Sequence, residues 1–374
     1  MAEHSSNQTK LNPPFRAEHI GSMLRPPELL AAFKAHRRAA MDHNALREVQ
    51  DRCIVEVIRL LEEAGLESIT DGEFRRGSWA YGFVEALDGF INCPSPWKFH
   101  DDEGTAYDIE TCYATAKLRR TRGITTDDFE FVRRHTARTP KITMPSPSFM
   151  HFFPGTACAD PAVYRDGDEF WEDLLRVYQE EIAALAALDA TYLQLDEVPQ
   201  AMLCDASIRA QTRTLGFDPG RLSMKYIDGV NRILKARSAT MTVGMHLCRG
   251  NFRSRWLARG GYEAVAERLF NETEVDGFFL EYDSERAGDF TPLRFMPRHK
   301  FAVLGLVSSK TPKLEDKRAL RGRIDEASRY LPLERLALSP QCGFASTVGG
   351  NTLSIEDERA KLRLISEVAA EVWR

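Results

Sequence analysis

Thr240 to Cys248 read TMTVGMHLC, a run of β-favouring residues that ends in an imidazole and a thiol two positions apart. A short, almost continuously apolar run bounded by polar residues is the pattern of a strand buried on both faces. Side chains alternate along a strand, so His246 and Cys248 project to one side if the strand continues through them. Seven more runs of this kind lie outward in the chain: Phe15 to Ile20, Ser68 to Asp71, Lys141 to Met144, Thr191 to Leu195, Gly277 to Glu281, Ala302 to Val307 and Arg335 to Leu338. Between most of them apolar residues return every three or four positions, as in Glu172 to Leu188 (EDLLRVYQEEIAALAAL). Strands alternating with helices predict a parallel sheet wrapped by helices.

The residues that follow the strands narrow the architecture. Six of the eight ends carry reactive or polar groups: His19-Ile20-Gly21-Ser22, Asp71-Gly72-Glu73, Asp196-Glu197, His246-Leu247-Cys248, Glu281 and Gln341-Cys342-Gly343. An open doubly wound sheet gathers ligands at one crevice, whereas a closed ring brings every strand end to a common mouth. The expected fold is therefore α/β, a single (β/α)₈ TIM barrel with an insertion after the second strand. No repeat, low-complexity tract or Gly/Ser linker divides the 374 residues. One barrel over residues 15–374 is expected, preceded by a disordered or extended polar tail, residues 1–14. The insertion is residues 92–139, where Pro94-Ser95-Pro96, aspartates and the basic runs KLRRTRG and FVRRHTAR interrupt the alternation. Its arginines read either as a grip for an anionic tail or as a solvated charged face.

With 43% hydrophobic and 28% charged residues, the chain has the composition of an ordinary soluble domain. A net charge of −5 gives no basic field for nucleic acid or an anionic membrane, so neither is expected as a partner. No run reaches the ~18 apolar residues of a membrane span, and no secretory leader is visible. A cytoplasmic protein acting on small polar molecules is expected. Seven cysteines without a scaffold spacing indicate reduced thiols. Cys53, Cys112, Cys158 and Cys204 read as packing.

A lone His-x-Cys pair says little about metal. Here Glu281 and Cys342 occupy comparable positions after two other strands, completing a nitrogen, sulfur and oxygen set suited to Zn²⁺. One imidazole, two thiolates and one carboxylate leave such a site near −1. That weakens it as a water activator but leaves a coordinated substrate thiolate electron-rich, with a pKa below the free value of about 8.5. Thiol alkylation is the chemistry that benefits, and the carboxylate is the ligand easiest to displace. A closed structural zinc site, or simply two buried cysteines, is the plain alternative.

Seven motifs then carry a resemblance: HIGSMLRP from His19, ITDGEFRRGSW from Ile69, LQLDE from Leu193, MHLCRGN from Met245, FFLEYD from Phe278, LGLVSSKTP from Leu304 and LSPQCGF from Leu338. From about Phe15 to Trp373 the chain resembles the C-terminal catalytic barrel of cobalamin-independent methionine synthase, and more closely its short single-barrel bacterial relatives. The resemblance implies zinc held by His246, Cys248, Glu281 and Cys342. It implies a small-molecule thiol, homocysteine, activated as a zinc-bound thiolate and methylated by a donor to methionine. It further implies that Ile20, Gly21 and Ser22 hold the amino-acid carboxylate, and that Glu73 and Asp196 hold the α-ammonium. The plain alternative for Glu73 and Asp196 is a salt bridge to Arg75, Arg76 or another arginine at the barrel mouth, and for Ser22 a cap on a helix opening near Pro26.

Two departures stand out. The larger relatives carry a second, N-terminal barrel that helps hold their folate, for which these 374 residues leave no room. The family also places a histidine after the seventh strand to assist proton transfer, where this chain reads Leu306-Val307-Ser308-Ser309-Lys310. Lys310 or Ser308 could take that task, so Lys310 joins Glu281 as a candidate catalytic residue. Alternatives to methionine synthesis are alkyl transfer to another thiol, as in epoxyalkane:coenzyme M transferase, and a non-catalytic barrel that binds zinc or amino acids.

Overall fold

The computed structural model describes residues 15–373, so the expected tail at residues 1–14 lies outside the described residues. Among the described residues there are ten strands: β1 Ser68–Ile69, β2 Asp88–His100, β3 Ala106–Arg119, β4 Thr139–Pro140, β5 Ile142–Pro145, β6 Tyr192–Glu197, β7 Thr242–Leu247, β8 Gly277–Glu281, β9 Phe301–Val307 and β10 Leu336–Pro340. β5 to β10 form one six-stranded sheet in chain order, and every neighbouring pair is parallel. Parallel neighbours need crossover connections, and helices supply them. Every residue of these six strands is buried, as a sheet covered on both faces requires.

The ladder extends beyond this sheet at both edges. β4 is separated from β5 only by Lys141, and β1 pairs parallel with β4. At the other edge Ala17 bridges Leu338, with Glu18 N donating to Leu338 O and Leu338 N to Arg16 O, both at 2.9 Å. Between the segment around Ala17 and that around β1, the contacts are mostly made by side chains. His19 Nε2 lies 3.0 Å from Ser68 O, Thr70 Oγ1 donates to Gly21 O at 2.9 Å, and Met23 N donates to Gly72 O at 3.1 Å. Seven of the eight expected runs thus appear as strands. The first makes a single bridge instead.

Inside this arrangement lies a buried ion pair. Lys141 Nζ donates to Glu18 Oε2 at 3.1 Å and also to His19 O, and neither charged side chain has any exposure. Burying two charges is costly unless their remaining valences are met. Here Ser68 Oγ donates to Glu18 Oε2 at 2.7 Å and Tyr192 Oη to Oε1 at 2.8 Å, while Lys141 sits over the Tyr192 and Phe279 rings. Four segments of the sheet are joined at one carboxylate.

The segment expected to be an irregular insertion is mostly regular. β2 and β3 form a long antiparallel hairpin beginning at Asp88, and a helix, Thr126–His135, follows. The prolines that argued against a strand coincide with a register shift between Pro94 and Lys98, where a bulge spares the ladder from their missing N–H groups. The basic runs are paired, two of the pairs at the surface: Lys117 to Glu169 at 2.6 Å and Arg134 to Glu130 at 3.3 Å, with Arg120 reaching the buried Glu181 at 2.7 Å. His100 and Trp256 exchange backbone hydrogen bonds of 2.7 and 3.0 Å, which pins the hairpin over the loop after β7.

The helix expected over Glu172 to Leu188 runs over Gly167–Ala187, beginning earlier because Asp166 caps it by accepting from Asp168 N and Glu169 N. Among the described residues no helix is long and apolar enough to cross a membrane. The Glu18 network gives a direct test: Glu18→Gln strands the buried Lys141 charge, and denaturant unfolding should show a loss of roughly 3–5 kcal/mol.

Candidate functional site

β7 ends at Leu247, β8 at Glu281 and β10 at Pro340, so their C-terminal ends bring His246, Cys248, Glu281 and Cys342 toward one region. The donor atoms of His246, Cys248 and Cys342 all lie within 4.8 Å of one another, and all three residues are buried. Cys248 Sγ donates to Cys342 Sγ at 3.3 Å and accepts from Gly250 N at 3.2 Å. That thiol contact and burial push the Cys248 thiol well above its ordinary range. Neither ring nitrogen of His246 has a hydrogen-bond partner. A buried imidazole with two unsatisfied nitrogens is costly, and a metal that takes one nitrogen and both sulfurs relieves it. The donor set matches zinc in kind.

Glu281 is close enough for its charge to act on His246 and Cys248, but it is not one of the three residues whose donor atoms meet. Its Oε2 accepts from Arg249 N at 2.8 Å and its Oε1 from Arg286 Nη2 at 3.2 Å. Burial opposes its charge, yet Lys310, Arg249 and Arg286 hold its pKa below the ordinary carboxylate value. The structure thus brings three of the four expected ligands together and holds the fourth, ionised, on a pair of arginines. Arg249 is itself fully buried, donating to Gly260 O, Tyr262 Oη, Glu281 O and Ala287 O.

A cavity of about 560 Å³ opens over the cluster, lined among others by Ile20, Ser22, Glu73, Asp196, Cys342 and Gly343. Gly21 has φ +135°, and a Cβ there would lie 2.6 Å from Thr143 Cγ2, so only glycine lets the chain turn between Ile20 and Ser22. Ser22 does not cap the helix that follows, since Pro26 stands at that helix's N-terminal boundary. Instead Ser22 O accepts from Phe344 N at 2.9 Å, and its hydroxyl fills the space a side chain at Gly343 would need.

Glu73 adopts φ +61°, a conformation costly for a residue with a side chain and found where function constrains the backbone. Asp71 Oδ1 supports it by accepting from Glu73 N at 2.9 Å. Glu73 Oε1 accepts from Thr143 Oγ1 at 2.9 Å and lies 3.7 Å from Arg76, while Oε2 has no partner. Burial pushes this carboxyl up to about 7, against Arg76 and with help from Asp196. Arg75 turns away to Asp51 and Asp128 at 2.6 and 2.7 Å. Asp196 accepts from Gln194 Nε2 at 2.7 Å, and burial raises its pKa despite His246 nearby. Pairing with arginine therefore accounts for part of Glu73 and does not supply a salt bridge to Asp196.

Lys310 is placed differently from expectation. Its Nζ donates to Gly250 O at 2.9 Å, and neither Lys310 nor Ser308 lines the cavity. The lysine supports the loop that follows Cys248 and places its charge toward Glu281. Sequence reading missed Arg286, which clamps Glu281, and Asn251, whose Nδ2 donates to Gly343 O at 2.7 Å and ties the two cysteine-bearing loops. It also missed the hairpin's share of the cavity wall, which includes Asn92, Phe99 and Glu110. Asn251 lies within the MHLCRGN motif, so a signal for it existed; the hairpin residues carry none.

No protein-family model matches the chain. The uncharacterized protein YxjH of Bacillus subtilis (strain 168) is 40% identical over 366 residues, covering 96% of this chain and 95% of its own. A Listeria monocytogenes protein provisionally assigned as a vitamin-B12-independent methionine synthase has a structure similar at TM-score 0.75 with 34% identity, over 96% of this chain and 98% of that one. The B12-independent methionine synthase of Shewanella sp. W3-18-1, solved with selenomethionine, shares the fold at TM-score 0.73 and 17% identity, over 96% and 97% of the two chains. Likeness that runs the full length at such identity, in a chain that carries the seven motifs, leads to one assignment: the chain belongs to the cobalamin-independent methionine synthase family.

Proposed function

We propose that this chain is a zinc-dependent S-methyltransferase that converts homocysteine to methionine, on a single (β/α)₈ barrel carrying the β2–β3 hairpin as an insertion after its second strand. The observation that carries the reading is the buried His246, Cys248 and Cys342 group, with both imidazole nitrogens unsatisfied, beneath a cavity that also exposes Glu73 and Asp196. A closed barrel is supported by the ladder running from Ala17 through β10 to β1 and by the side-chain contacts across the remaining seam. The names of the Listeria and Shewanella relatives, and the selenomethionine held by the latter, point to the same substrate class.

Bound zinc would supply the Lewis acidity that keeps a thiol ionised at neutral pH. The remaining roles fall to the chain's own residues. Glu73 Oε2 and Asp196 meet the α-ammonium with charge-assisted hydrogen bonds, and the turn from Ile20 to Ser22 meets the carboxylate. Glu281, held by Arg249 N and Arg286, is the exchangeable ligand of the set. Lys310 steadies Gly250 and keeps Glu281 ionised, so it is a positioning residue. A thiol with an anionic head, such as a sulfonate, would be repelled by Glu73 and Asp196, which disfavours the coenzyme M type of transfer.

The central experiment is incubation of zinc-loaded protein with homocysteine and a panel of methyl donors, with methionine followed by mass spectrometry. Thioether formation from a different thiol, and none from homocysteine, would overturn the proposal. Zinc-loaded protein without turnover of any thiol would favour a non-catalytic binding barrel. For the ligands, His246→Ala and Cys342→Ser should each lower zinc content on elemental analysis, while Glu281→Ala should retain most of it. Full retention in the first two would remove the zinc assignment. A third expectation concerns pH. Glu73 must lose its proton to hold an ammonium, so methionine affinity measured by calorimetry should rise about tenfold per pH unit up to about pH 7 and then level off. Glu73→Gln should flatten that profile.

A further inference from the structure

Glu281 has two sets of neighbours, and the metal group is only one of them. Its charge reaches His246 and Cys248, yet both of its oxygens are turned to nitrogen donors, Oε2 to Arg249 N at 2.8 Å and Oε1 to Arg286 Nη2 at 3.2 Å. The first of these is a backbone group. Among the described residues Arg286 is the one cationic side chain in a direct ion pair with this buried carboxylate.

Arg286 has capacity for more. Glu281 is the only hydrogen-bond partner of its side chain among the described residues, and its Nε is buried with none. A guanidinium carries five donors and grips a carboxylate best with two of them. Unspent donors therefore stand beside the ligand that must give way when a substrate sulfur arrives. The backbone that carries them is fixed. Arg286 lies in a single 3₁₀ turn, Glu285–Ala287, where Arg286 O accepts from Gly260 N at 2.9 Å and Ala287 O from Arg249 Nη2 at 3.3 Å. Gly288 closes the turn at φ +74°, and a Cβ there would lie 2.7 Å from Gly261 Cα, so the turn rests directly on the segment that follows β7.

From Arg286 the contacts lead outward to the hairpin. Its guanidinium lies 5.8 Å from the centroid of the Trp256 ring, which also carries Arg259 at 4.6 Å. Trp256 Nε1 donates to Asp102 Oδ1 at 3.2 Å, and the His100 ring lies 5.3 Å from the indole. Asp102 stands in the exposed turn between β2 and β3. The ring whose face attracts the guanidinium is thus held in place by the hairpin tip.

We propose that Arg286 is a positioning residue that receives Glu281 from the metal, and that the tip of the β2–β3 hairpin, through Asp102 and Trp256, sets Arg286 for that task. This inference rests on the zinc reading above and adds the place to which the displaced ligand goes. A carboxylate leaving the metal inside a buried site would otherwise be an unpaired charge, which is costly. With Arg286 waiting, a thiolate can enter without that cost.

Two measurements on the zinc-loaded full chain read the two places of Glu281 separately: zinc release to a chromogenic chelator, and homocysteine affinity by calorimetry. In Arg286→Gln the carboxylate has lost its second partner and stays on zinc. Zinc should then leave about tenfold more slowly and homocysteine should bind about tenfold more weakly, the scale of one hydrogen bond to a charged group. Adding Glu281→Ala to that variant should cancel the slower release. Arg286→Lys keeps the charge and should recover part of the affinity, which a merely structural arginine would not do. Trp256→Phe keeps a ring but loses the bond to Asp102, and Asp102→Ala changes an exposed position where folding is not at stake; both should move the two readings in the same direction by less. Parent-like values for Arg286→Gln, faster zinc loss from it, or slower loss that Glu281→Ala does not cancel would each overturn the inference and leave the zinc and thiol reading intact. Parent-like values for both Trp256→Phe and Asp102→Ala overturn the part assigned to the hairpin. A parent chain that takes up no zinc overturns both readings together.

Discussion

The carboxylate of Glu18 sets the position of much that lies above it. It takes hydrogen bonds from Lys141, Ser68 and Tyr192, which belong to three different segments, at a point where none of the groups meets water. The segment that carries it has few backbone bonds of its own, two to Leu338 at one side and none of strand type at the other. Its placement therefore depends on this polar knot. Four residues further on, the same segment delivers Ser22 into the cavity wall and against Gly343. Charge satisfaction at the closed end of the sheet thus governs geometry at its functional end.

At that functional end the supporting contacts run between loops. Asn251 ties the loop after β7 to Gly343, Ser309 Oγ lies within hydrogen-bonding reach of Gln341 Oε1 and Gly343 O, and Lys310 reaches Gly250 O. Each contact crosses from one strand end to another, so Cys248 and Cys342 are brought together by the packing of the whole sheet. The close approach of two thiols and an unsatisfied imidazole is unfavourable by itself. The surrounding structure is rigid enough to impose it, as preorganised sites require.

What the sequence revealed follows from where information is local. Strands covered on both faces must be apolar almost throughout, so runs such as Gly277 to Glu281 and Ala302 to Val307 were legible within a residue or two. Reactive residues directly after such runs were legible for the same reason. The segment from Phe15 to Ile20 was overread, because its burial comes from side-chain bonding more than from strand pairing. The hairpin was missed because its residues pair with one another across a turn and pack on distant loops, while Pro94, Pro96 and the surrounding charges obscure the alternation. Nor could spacing reveal that Lys310 spends its ammonium on Gly250 O, or that Arg286 reaches Glu281, since both are contacts made only after folding.

The bond from Arg16 Nη1 to Leu336 O spans 320 positions, and the third donor of the metal group, Cys342, follows Leu336 closely. During synthesis His246 and Cys248 therefore leave the ribosome well before the residue that completes their site. Until the last strand is made, the N-terminal segment has no partner along β10, and the nascent chain holds His246, Cys248 and Glu281 without Cys342. Long-range pairing of this kind is formed late, because the loop it closes is among the largest the chain can make. Assembly of the His246, Cys248 and Cys342 group is thereby placed at the end of synthesis, once the segment around Ala17 has met β10.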